Sequence, residues 1–140
     1  MCNEHLPEFS LTPGDYGWSA RLAGSPSLFG QEVSLEIHTR MIPSEPETLP
    51  PVSQTQASLV RSIVPALPSL LQRVESELTS YCQKREPGFR AVIHHPHIWL
   101  SSENDNGVSW TFVVGRTDNP DFGYDLEFRG TDFVQLWAGD

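Results

Sequence analysis

The stretch SQTQASLVRSIVPALPSLLQRVESELTSYCQK, residues 53–84, decides the fold. Leu59, Ile63, Leu67, Leu70, Val74, Leu78 and Tyr81 recur at intervals of three and four, which lays one apolar stripe along a helix. Ser53 with Gln56 three positions on predicts a capping box, in which each side chain satisfies the other's backbone amide. Lys84 and Arg85 stand where a helix C-terminus favours cations, and Pro87-Gly88 ends the segment. Pro65 and Pro68 interrupt the pattern. An interior proline removes one backbone hydrogen bond and crowds the preceding turn, at a cost of about 3 kcal/mol. The expectation is a proline-kinked helix, or two pieces near 53–63 and 66–85.

On either side of the helix the period changes from 3.6 to two. Upstream, Trp18, Ala20 and Leu22 alternate with Ser19 and Arg21. After a turn at Gly24-Ser25-Pro26, Val33, Leu35 and Ile37 alternate with Ser34, Glu36 and His38. These segments predict an antiparallel hairpin. Residues 41–52 hold Pro43, Pro46, Pro50 and Pro51 and predict an exposed, extended linker. Downstream, Ile98 and Leu100 flank Trp99, and Asn104-Asp105-Asn106-Gly107 offers a hairpin turn. Then come Val108, Trp110, Phe112 and Val114, next Tyr124, Leu126 and Phe128, and last Phe133 to Trp137.

The order β-β-α-β-β-β-β predicts one α+β domain spanning 1–140, without a repeat or second domain. Its architecture is a two-layer sandwich, an antiparallel sheet of five to six strands covered on one face by the long helix. The aromatic side chains are too many for that inner face. Trp99 lies out of phase with its neighbours. Trp99, Val113 and one side of the last strand (Phe133 and Trp137, or Val134 and Leu136) form the excess.

Nine basic residues against eighteen acidic give a net charge of −9, and Lys84 is the one lysine. Residues 1–52 carry −5, 53–102 carry +2 and 103–140 carry −6. That field opposes nucleic acid and anionic membranes and attracts a basic partner. The start, MCNEHLP, shows no signal peptide, and no apolar run approaches the ~20 residues that span a bilayer. Two unpatterned cysteines, Cys2 and Cys82, fit a reducing cytoplasm, and Cys82 on the helix reads as a small buried hydrophobe.

Motifs for a P-loop, a dinucleotide fold, a serine-hydrolase elbow, thiol redox chemistry and a zincin are all missing from the sequence. One constellation can carry chemistry, His94-His95-Pro96-His97. Neutral imidazoles bind zinc, copper or nickel, and His95 and His97 are alternate residues, which a strand points to one side. His38 adds a third ligand if its strand lies alongside, and Asp118, Asp121 or Asp125 could supply oxygen. Against this, the proline marks a turn or strand entry, and solvated loop histidines are common. The oxygen-rich turns at 104–107 and 118–121 lack the calcium-loop spacing.

The first expectation is thus a non-enzymatic protein-interaction module that needs no cofactor. Small acidic single domains without catalytic motifs include toxin-neutralising immunity proteins, an analogy of size and charge. Its partner surface would comprise Asp118, Asp121, Asp125 and Glu127 with Trp99 and Trp137, meeting a basic protein or a second copy at the uncovered sheet face. The alternative is a small metal-dependent hydrolase or ligand-binding protein that uses His95, His97 and His38.

Overall fold

Residues 4–43, 48–102 and 108–139 are described by the computed structural model, which is α+β with one long helix. The chain runs β1 (Thr12–Pro13), β2 (Gly17–Arg21), β3 (Ser27–Leu28), β4 (Gln31–Glu32), β5 (Ser34–His38) and α1 (Gln54–Cys82). A 3-10 turn at Phe89–Ala91 leads into β6 (Ile93–Leu100), β7 (Ser109–Arg116), β8 (Gly123–Arg129) and β9 (Asp132–Gly139). Seven strands form one sheet in the order β1-β2-β5-β6-β7-β8-β9, and β3 pairs with β4 in a miniature hairpin of its own.

The sheet is mixed, which corrects the expected all-antiparallel sheet of five to six strands. The hairpin of β2 with β5 is antiparallel as its alternation implies, and so is the meander β6-β7-β8-β9. The two halves, however, join through β5 and β6 in parallel, with Ser34 opposite His97 and Ile37 opposite Leu100. The helix is the reason. A strand that returns to the sheet through a crossover helix re-enters in the direction it left, whereas a tight turn reverses it. Gln56, 5% exposed at the helix start, fastens this junction by donating from Nε2 to the carbonyls of His38 (2.8 Å) and Ser101 (3.2 Å).

The capping box is present. Ser53 Oγ accepts from the Gln56 amide and Gln56 Oε1 from the Ser53 amide, each at 3.1 Å. From there α1 runs unbroken past Pro65 and Pro68, so the two-piece alternative does not occur. Both prolines sit on the exposed side, while Leu59, Ile63, Leu67, Leu70, Val74 and Leu78 stay buried along the other. Packing of that stripe outweighs the two lost backbone bonds. Replacing either proline with alanine removes no core contact and restores a donor. A gain of about 1–3 kcal/mol in unfolding free energy is expected, up to the helix-interior penalty of proline. Denaturant midpoints read it out, and a destabilised Pro68→Ala variant would contradict it.

Leu35, Ile37, Ile98, Leu100, Phe112, Val114, Tyr124 and Leu126 are no more than 1% exposed and meet the helix stripe. The segment expected to be an exposed linker is exposed at 41–43 but packed at its end. Leu49 and Val52 are buried, and Trp18 Nε1 donates to the Pro50 carbonyl at 2.8 Å. The turn expected at 104–107 lies outside the described residues. On β9 a bulge against β8 resolves which side of the last strand is apolar. Phe128 faces Phe133, but Leu126 faces Leu136 and Asp125 faces Trp137, so Val134 is the extra residue. Phe133 and Leu136 therefore share the core side, while Gln135 and Trp137 share the open side. No helix among the described residues is long and apolar enough to cross a membrane.

Candidate metal centre

Alternation along β5 turns Leu35 and Ile37 to the helix and leaves Ser34, Glu36 and His38 on the uncovered face. The parallel register then sets Glu36 diagonally beside His97. At the start of β6 the pairing with β7 slips between His94 and His97, and His95 takes φ +51°. A non-glycine residue in the left-handed region costs roughly 1–3 kcal/mol and tends to occur where a side chain must be re-aimed. Here the bulge brings the His95 and His97 rings to 4.6 Å between centroids.

Three side chains converge. Glu36 Oε2 lies 3.0 Å from His95 Nε2 and 3.4 Å from His97 Nε2, and one ligand atom from each residue falls within 4.8 Å of the others. Ligands of a tetrahedral ion with bonds of about 2.0–2.1 Å stand about 3.3–3.4 Å apart. Two of the three separations bracket that value. His97 is the buried member at 11% side-chain exposure, against 28% for Glu36 and 55% for His95. The remaining coordination directions open to solvent.

The protonation pattern is the informative part. His97 Nδ1 lies 2.9 Å from the His95 carbonyl, which can only accept, so Nδ1 carries the proton. Burial pushes the His97 pKa down, opposed by that carbonyl and by Glu36. In its neutral form the ring presents Nε2 to a carboxylate oxygen 3.4 Å away, and a cation placed between the two would be coordinated by both.

His38, expected as a ligand, stands at the margin with Nε2 4.0 Å from Glu36 Oε1. It stacks on Tyr16 at 5.6 Å and meets Trp99 edge-to-face at 5.4 Å, and desolvation lowers its pKa. Glu36, which sequence reasoning missed as a ligand, is the residue that joins the two histidines. The signal was its place two residues before His38 on the polar side of β5.

The aspartates expected as oxygen donors lie elsewhere. Asp118 forms a two-pronged pair with Arg116, at 2.7 and 2.6 Å, so its charge is compensated. Asp121 lines a hollow near Trp137 and Asp125 at the far edge of the sheet. Asp125 shares the open face and the row of His97, two strands away through Val113, and desolvation raises its pKa, with Glu127 adding to the shift. Glu127 accepts from Gln135 Nε2 (2.6 Å) and Trp137 Nε1 (3.1 Å). Of the proposed partner residues, Trp99, Asp125, Glu127 and Trp137 share the uncovered face. Trp99 is half-buried and Trp137 is 57% exposed.

No protein-family model, curated protein or solved structure matches this chain. Two imidazoles and one carboxylate, with open positions, form a donor set suited to zinc or another divalent transition ion. Zinc sites with three protein ligands and an open fourth position are the catalytic kind, whereas structural sites are closed by four.

Proposed function

We propose that the chain is a metal-dependent protein in which Glu36, His95 and His97 hold one divalent transition ion, zinc first among them. The observation that carries this reading is the convergence of Glu36 Oε2 with His95 Nε2 at 3.0 Å and His97 Nε2 at 3.4 Å, while His97 Nδ1 is held by the His95 carbonyl. The open position suits a small metal-dependent hydrolase or ligand-binding protein, because a bound ion acts as a Lewis acid and lowers the pKa of its water to about 7. His38 stands 4.0 Å from the Oε1 side of the carboxylate, and partial burial of His97 limits water on one flank.

The test is equilibrium dialysis of chelator-stripped protein against zinc, followed by metal analysis. About one equivalent retained after dialysis into metal-free buffer supports the reading. Retention of none overturns it. A second reading, a protein-interaction module at the uncovered face, is favoured by the exposed Trp137 on edge strand β9. A pull-down at two salt concentrations addresses it separately, since binding steered by charge weakens as salt rises.

A further inference from the structure

Glu36 and His95 do more than face each other. Both line a groove of about 600 Å3 on the open face, whose other walls carry the hydroxyls of Ser10, Thr12, Ser19 and Ser34 and the side chain of Arg21. The sheet register explains the arrangement. One row across the strands reads Thr12, Ser19, Glu36, and the next reads Arg21, Ser34, His97. Each row of donors ends on a ligand of the proposed ion, at the interstrand spacing of about 4.8 Å.

In a chain of net charge −9, Glu36 is the one carboxylate among the described residues that line this groove. Arg21 is forked onto Glu32, Nε to Oε1 at 3.0 Å and Nη2 to Oε2 at 2.9 Å, which leaves Nη1 for another acceptor. A divalent ion held by the Glu36 carboxylate and two imidazoles brings one net positive charge to the groove, which attracts an anion. Without the ion that attraction is gone. Resting on the metal reading above, we infer that the groove takes a phosphate group, free or as a monoester. One oxygen enters the ion's open position, and the others accept from Ser19, Ser34, Thr12 and Arg21. A carboxylate, with one oxygen left after ligation, would leave most of these donors unused.

The test uses the full chain loaded with one equivalent of cobalt(II) and titrated with inorganic phosphate, read by the cobalt absorption spectrum and by 31P line broadening. Saturable changes are expected with the loaded chain and no binding with the metal-free chain. Ser19→Ala with Ser34→Ala should weaken phosphate at least tenfold, the scale of two lost hydrogen bonds to a charged group. The same variant should bind cobalt like wild type, because neither serine is a ligand. By reciprocity, saturating phosphate should tighten cobalt by the factor that cobalt tightens phosphate. Cobalt bound with an unresponsive spectrum overturns the phosphate inference and leaves the metal reading standing. Acetate binding as tightly as phosphate overturns it as well, as does a double variant that binds phosphate normally. Failure of cobalt itself to bind defeats both readings.

Discussion

Alanine at position 97 is expected to lower zinc affinity by at least about 100-fold, because even groups behind the ligands cost roughly 10–100-fold when removed. His97 is the buried ligand, and its ring is held in place by the His95 carbonyl. His94 is exposed on the same strand, and His94→Ala should bind zinc as wild type does. The sharper variant is Glu36→Gln. It removes the charge and so weakens zinc, yet its amide can donate to Nε2 of a neutral His97 ring, 3.4 Å from the present carboxylate oxygen. Metal-free Glu36→Gln should therefore be more stable than metal-free wild type, by about 0.5–1.5 kcal/mol, the net value of one hydrogen bond. Wild type with zinc should again exceed it, since a ligand held only by the native state adds to stability. Equal stability of the two metal-free proteins, with equal zinc affinity, would remove the basis of the site.

Opposite signs in two conditions are hard to obtain from a merely structural role. A carboxylate kept for packing or solubility would give a small change of one sign whether or not zinc is present, since exposed pairs contribute only about 0–1 kcal/mol.

The helix, its capping box and six of the strands were legible because their signals are local. Ser53 and Gln56 sit three residues apart, and Leu35 and Ile37 two apart, so periodicity alone places them. The convergence of Glu36 with His95 and His97 is not local. It needs β5 beside β6 in parallel, a pairing of segments some sixty residues apart, and a left-handed His95 at a bulge. Read from sequence, the strand-helix-strand order forms part of an antiparallel sheet, although a crossover helix favours the parallel pairing found. The bulge has no counterpart in composition, because alternation describes regular strands and a bulge is where alternation fails. The same holds for β9, where one extra residue at Val134 puts Phe133 and Leu136 on one side although they are three apart. The charge count registers Asp118 and Asp121 equally, whereas the fold pairs the first with Arg116.

Gly17→Ala is the substitution expected to damage the fold most for its size. Gly17 pairs with His38, and a Cβ there would stand 2.0 Å from the Ile37 carbonyl oxygen, 2.6 Å from the His38 Cα and 2.8 Å from the Ile37 carbonyl carbon. All three are backbone atoms, so no side-chain rotation relieves the contact, and β2 and β5 must separate at this point. Overpacking typically costs about 1–3 kcal/mol, more where backbone has to move. A loss of at least about 3 kcal/mol is expected, which for a chain of this length lowers Tm by on the order of 10 °C. Gly88→Ala supplies the control, since a Cβ at Gly88 meets nothing within 4 Å and should leave Tm nearly unchanged. The damage should also reach the metal. The His38 Cα lies two residues beyond Glu36, and Trp18 next to Gly17 anchors the 50–52 segment through Pro50, from which the helix and its Gln56 clamp begin. Folded Gly17→Ala protein should accordingly bind zinc more weakly than wild type, without any ligand having been touched. A variant with unchanged Tm would mean that the β2–β5 pair yields far more readily than its register implies.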